Sequence, residues 1–271
     1  MITVTGATGN VGRLITRQLA DAGETVTAVS RTAAHLPEGV THRAADLGEP
    51  ATLAAAFAGG ETLFLLVAGE DPHAILDAAK AAGVRRLVLL SSQGAGTRPD
   101  AFGHPRAFED AVRASGFDWT ILRPSGFASN SFAWAASIRT ARAAAAPFAD
   151  IALPFIDPAD IAAVAATVLR ESGHSGRTYV LTGPAATTPR ERAALIAEAI
   201  GEPIAFTELT RDEAAARMLA FMPRQAVTAT LGILGEPTPA EQAVSPDAEA
   251  VLGRAPGTFA VWAAHHALAF R

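Results

Sequence analysis

Three glycines separated by two residues each, Gly6, Gly9 and Gly12, follow the β-branched run Ile2-Thr3-Val4-Thr5 and precede an amphipathic stretch beginning at Arg13-Leu14-Ile15. A strand, a glycine turn and a helix start in that order make an anion cradle. Gly6 allows the tight turn, Gly9 lets the backbone approach a pyrophosphate without a Cβ in the way, and Gly12 lets the helix pack close to the strand. The helix N-terminus offers N–H groups and a positive dipole end to the anion. The turn Gly6-Ala7-Thr8-Gly9-Asn10-Val11-Gly12 is therefore expected to hold the phosphates of a dinucleotide. Which dinucleotide depends on the end of the second strand, about 20 residues further on, where a carboxylate binds a ribose 2′-OH and a basic residue binds a 2′-phosphate. The run there is Val29-Ser30-Arg31, with no acid beside it. A guanidinium fork suits a phosphate, and Ser30 offers a second donor, so the expected cofactor is NADP(H). A solvated surface arginine is the alternative reading of Arg31.

The elements that must position these residues are legible in the first half of the chain. Short β-branched runs alternate with Ala/Leu-rich stretches of helical periodicity, the pattern of right-handed βαβ units around a parallel sheet. Strands are expected at 2–5, 25–30, 40–44, 62–67, 86–91 and 119–122, with helices at 11–22, 50–58, 72–82 and 105–115. The expected fold is α/β, a Rossmann-type doubly wound parallel sheet over residues 1–124. Residues 125–271 form a smaller, mostly helical substrate lobe, with segments returning to the core. One of these is a strand at 178–181. Three helix starts carry a capping residue with an acid three positions later: Asp157/Asp160, Thr188/Glu191 and Thr210/Glu213. An Ala-rich helix is expected around 141–146.

Gly6-Ala7-Thr8-Gly9-Asn10-Val11-Gly12 resembles the atypical and extended branches of the short-chain dehydrogenase/reductase superfamily. Further segments narrow the likeness: Val84 to Ser92, Glu109 through Ser115 to Pro124, then Phe127 and Asn130, and Pro154 to Ala162. Over about residues 1 to 215 the chain resembles the NmrA-like subgroup, which includes quinone reductases, ergot-alkaloid-type iminium reductases and catalytically silent redox regulators. The resemblance and the strand-end rule for such sheets imply further cofactor contacts. Asp46-Leu47 would touch the adenine, Val67-Ala68-Gly69 the ribose, and Ser91-Ser92 the nicotinamide end.

Most members of the superfamily protonate a carbonyl oxygen with the tyrosine of a Tyr-x-x-x-Lys pair. The single tyrosine here is Tyr179 and the single lysine is Lys80, far apart in sequence. Such a chain suits an acceptor that takes hydride without strong acid catalysis, such as a quinone, an iminium or a conjugated alkene. Binding and orientation would then supply much of the rate. His104 stands where several quinone-reductase relatives carry a lysine, and with Ser92 it is a candidate catalytic residue. Gln93, Phe127, Asn130, Trp134 and Phe155 are the candidate substrate-binding residues, with Met218, Phe221 and Met222 as further apolar walls. A non-catalytic NADP(H) sensor of NmrA type is the alternative function.

Composition excludes other classes. A net charge of −5 without a run of basic residues argues against nucleic acid as a partner, and the absence of cysteine removes thiolate zinc sites, cysteine nucleophiles and disulfides. His265-His266 lacks carboxylates at ligand spacing, so no metal is expected. No apolar run reaches membrane-spanning length and the N-terminus lacks a signal-peptide pattern. A small-molecule substrate, no membrane partner and a cytoplasmic location are expected, with a homodimer as the assembly left open.

Overall fold

The computed structural model describes residues 1–32 and 35–271. Among them the strands are β1 (Ile2–Thr5), β2 (Val26–Ser30), β3 (Thr41–Ala44), β4 (Thr62–Leu66), β5 (Arg86–Leu90), β6 (Asp118–Pro124), β7 (Ala143–Pro147), β8 (Arg177–Leu181) and β9 (Ala205–Leu209). The helices that matter to the site are α1 (Gly12–Asp21), α2 (Leu53–Phe57), α3 (Pro72–Ala81), α4 (Gly94–Thr97), α5 (Gly103–Ala114), α6 (Ala135–Ala141), α7 (Pro158–Arg170) and α8 (Pro189–Ile200).

The chain divides into two compact units. The first comprises Met1–Pro124, Pro158–Leu181 and Asp247–Arg254. Its sheet has seven strands in the order β3-β2-β1-β4-β5-β6-β8, and every neighbouring pair is parallel. Burial on both faces is why the middle strands read as continuous apolar runs: Leu63, Phe64 and Leu65 of β4 and Leu87, Val88 and Leu89 of β5 are all at most 1% exposed. The order changes direction at β1 and β4, the switch point where such sheets receive ligands at their carboxyl ends. β8 pairs with β6, as expected for the late strand.

The second unit comprises Ser125–Asp157, Thr182–Pro246 and Ala255–Arg271. Helix α8 packs in a cluster with Trp262 and Phe270, both at most 1% exposed. Thr188 and Thr210 each complete a capping box with Glu191 and Glu213, and Thr238 does the same with Glu241. The third box lies beyond the reach of the family resemblance.

One element differs in kind. The alanine content of residues 141–146 favours a helix, but α6 ends at Ala141 and Arg142 turns into the left-handed region at φ 50°. Ala143–Pro147 then forms β7, parallel to β9. Pro147 would clash with the carbonyl four residues back in a continued helix, and alternate residues Ala144 and Ala146 are buried in the strand. Pairing and burial outweigh a propensity of a few tenths of a kcal/mol per residue.

Candidate active site

The glycine turn has the geometry that its spacing demands. Gly6 adopts φ 60°, a region costly for a side chain, and a Cβ there would also fall 2.0 Å from Leu66 Cδ2. A Cβ on Gly12 would sit 2.1 Å from the Gly6 carbonyl oxygen and 3.1 Å from Ala7 Cα, so α1 can start against the turn only without one. Thr8, Gly9 and Asn10 are exposed, and no side chain caps the start of α1. An exposed turn at an uncapped helix start fits a pyrophosphate; a side chain at Gly6 would be strained, and at Gly12 the neighbouring backbone leaves room for glycine alone.

Arg31 is exposed just beyond β2. Ser30 is less available than expected. Its hydroxyl donates to the Thr32 carbonyl at 2.8 Å, and His42 Nε2 lies 3.0 Å from the same oxygen. With the hydroxyl proton already committed, His42 is the donor of that second bond. Ser30 therefore shapes the turn presenting Arg31 rather than offering a free donor. His42, from β3, carried no sequence signal of this role.

The strand ends of the first unit bring several candidates together. Asp46 Oδ1 accepts from Gly48 N at 2.9 Å and Asp46 N donates to Thr52 Oγ1 at 3.2 Å, which folds the Asp46-Leu47 turn tightly. Gly69, at φ 83°, lies so close that a Cβ would be 2.5 Å from the Leu47 carbonyl oxygen. His104, in the first turn of α5, joins this group by donating from Nε2 to the Gly69 carbonyl at 2.7 Å, with its ring edge-on to Phe108. That bond uses the Nε2 proton. His104 thus ties α5 to the loop after β4 through Nε2.

The loop after β5 is built from below. Glu109 is fully buried and accepts from Ser91 Oγ at 2.6 Å, Arg123 Nε and Nη2 at 2.8 and 2.6 Å, and Arg113 Nη2 at 2.9 Å. Burial pushes its carboxyl up, but the bonds from Arg123 and Ser91, with the Arg123 charge and Arg113, outweigh this and hold it below the usual carboxylate range. Gly96 leaves room for Arg123, since a Cβ there would be 2.3 Å from Nη1, and Gly94 does the same for the Phe102 ring. Ser91 is thus spent on the scaffold, and Gln93, 8% exposed, mainly roots α4. Ser92 differs. Its oxygen accepts from Gly94 N at 3.2 Å, which leaves the hydroxyl proton for a ligand.

In the second unit Phe127 pairs with Ile156 through an isolated parallel bridge, and Asn130 is exposed. Trp134 Nε1 donates to the Ala145 carbonyl at 3.0 Å. Phe155 is buried, and close approach of its ring to Gly126 and of its carbonyl to Gly183 requires both glycines. The guanidinium of Arg192, which no sequence argument singled out, stacks on Phe155 at 3.7 Å from the ring centroid and lies 5.9 Å from that of Trp134. Met218 and Met222 pack into a separate small cluster around Leu209 and Leu231, whereas Phe221 is exposed.

Other candidates resolve structurally. Asp160 accepts from Arg254 at 2.8 Å, and His266 stacks on Trp262. No metal-ligand cluster occurs and no helix is long and apolar enough to cross a membrane, among the described residues.

Residues 6–172 match the NAD(P)H-binding family. The chain belongs to the NAD(P)H-binding family. This NAD(P)H-binding chain is 39% identical to a (4-alkanoyl-5-oxo-2,5-dihydrofuran-3-yl)methyl phosphate reductase of Streptomyces griseus, covering 100% of this chain and 99% of that protein. It is 33% identical to an NAD(P)H azoreductase of Xenophilus azovorans, covering 100% and 99%. Among solved structures, the Escherichia coli NADPH-dependent quinone oxidoreductase complexed with NADPH is similar at a TM-score of 0.82, with 27% identity and coverage of 98% and 99%. The chain is an NAD(P)H-dependent reductase with a Rossmann-type fold, in keeping with its NmrA-like resemblance.

Proposed function

We propose that the reductase uses NADPH to reduce an acceptor that is already electrophilic: a quinone, an iminium or a conjugated alkene. The observation that carries this reading is the state of the tyrosine. Tyr179 Oη lies 2.9 Å from His174 Nδ1, and burial, ahead of the opposing charge of Arg177, pushes the phenol up rather than making it a better acid. Lys80 has its ammonium over the Phe117 ring instead. Neither residue is arranged to protonate a ketone oxygen as the acceptor takes hydride. The names of the relatives support the same chemistry, since an azo compound, a quinone and an oxo-dihydrofuran with an alkanoyl substituent all accept hydride without a strong acid.

The glycine turn from Gly6 to Gly12 would hold the pyrophosphate and Arg31 the adenosine 2′-phosphate. When bound, NADPH supplies the hydride. Asp46-Leu47 and Val67-Ala68-Gly69 form the strand-end surface alongside, fastened by His104. Ser92 offers its hydroxyl proton as a hydrogen bond to an acceptor oxygen. The completing proton comes from water, so that one hydride and one proton add across the acceptor.

The test is NADPH oxidation at saturating cofactor against quinones, cyclic imines and conjugated alkenes. Turnover with at least one class is expected. Absence of turnover with every class overturns the reading, and unequal affinities for NADP+ and NADPH in such a chain would mark a redox sensor instead.

A further inference from the structure

Arg192 lies on α8 of the second unit and is 6% exposed, yet its Nε and Nη1 are buried without a hydrogen-bond partner. Burial is the sole influence on its charge and pushes its pKa down to about 9, so the group is still a cation at neutral pH. Acids are not scarce in this unit. Arg190 pairs with Asp150 and Arg142 with Glu202, whereas Arg192 has only the Phe155 and Trp134 rings. Thr187 Oγ1, in the segment leading into the same helix, is also buried without a partner. A desolvated, unpaired cation is among the most costly groups a fold can hold. A planar guanidinium with one face on Phe155 directs its N–H donors outward in its own plane, the geometry that suits an oxyanion.

We propose that Arg192 is an anion-recognition residue, binding a phosphate or sulfonate oxyanion carried by the hydride acceptor. The assignment of that oxyanion to an acceptor rests on the reductase reading; the anion site itself does not. A bound oxyanion would satisfy the orphaned donors and neutralise the charge, turning a destabilising group into a specificity element.

Two measurements test this. The first compares kcat/KM for 1,4-naphthoquinone-2-sulfonate with that for 1,4-naphthoquinone in the wild type, R192K and R192M. Sulfonation changes a quinone's intrinsic reactivity, but that change cancels when the ratio is compared between variants. The ratio is expected to fall tenfold or more in R192M and less in R192K. The second measures calorimetric binding of naphthalene-2-sulfonate, which cannot be reduced, and of inorganic phosphate. Wild type should bind the sulfonate and R192M should not, with an unchanged circular-dichroism spectrum and a cooperative thermal transition showing that the variant is folded. An unchanged ratio in R192M, failure of the wild type to bind the sulfonate, or binding of inorganic phosphate alone overturns the proposal. Arg192-dependent sulfonate binding without turnover of any quinone, cyclic imine or conjugated alkene upholds the anion site and overturns the acceptor reading.

Discussion

Ser92 and Ser91 are chemically identical neighbours with different duties, because their protons go to different places. Ser91 donates into the buried Glu109, whereas Ser92 only accepts, from Gly94 N. Replacing Ser92 by alanine is expected to lower kcat/KM toward a quinone by about tenfold, the worth of one hydrogen bond near 1.5 kcal/mol. NADPH affinity should change far less, so steady-state kinetics and cofactor titration together separate the two effects. Arg31 is the residue proposed for cofactor choice. Arg31→Ala should reduce the preference for NADPH over NADH by at least about tenfold, since a charged hydrogen bond contributes about 1.5–3 kcal/mol, as read from the ratio of kcat/KM values. Both residues were visible in the sequence. What was not visible is that Ser30 and the Nε2 proton of His104 are already engaged by Thr32 and Gly69, because those partners are decided by how loops fold back.

Helix α5 is held to the ends of β5 and β6 through one carboxylate. Glu109 gathers Ser91, Arg113 and Arg123, and through them fixes the loop that carries Ser92. Glu109→Gln leaves Arg123 without its anion and Arg113 with Asp110 alone, and should cost about 3 kcal/mol, the order found when a buried pair loses one partner. The pH dependence follows from the depressed pKa. A carboxyl whose folded pKa lies below its unfolded value of about 4.3 contributes stability that is present above that value and lost as pH falls through the folded one. Unfolding midpoints measured from neutral into acid pH should therefore fall more steeply in the wild type than in the variant. The strands and helices of this region are legible from periodicity, but the alanine-rich stretch at 141–146 suggests a helix and instead leads into strand β7, because helix propensity is weak beside Pro147 and pairing with β9.

Across the molecule, the two units contrast in how their charges are satisfied. Glu109 in the first unit is buried and fully paired, whereas Arg192 in the second is buried and unpaired. Such a cation costs stability. Replacing Arg192 by methionine, of similar reach and without charge, should stabilise the fold by on the order of 1 kcal/mol, seen as a higher denaturation midpoint. A lower midpoint would show that its stacking on Phe155 outweighs the penalty. By itself the sequence determined the parallel sheet, the glycine turn and the cofactor class, because these depend on local spacing: three glycines, alternating periodicities and one arginine at a known offset. Only the tertiary structure decided which hydroxyl keeps its proton, where Glu109 finds its arginines and that Arg192 has no counter-ion. Those outcomes depend on residues far apart in the chain meeting in a buried setting, where desolvation makes each missing or completed pair count.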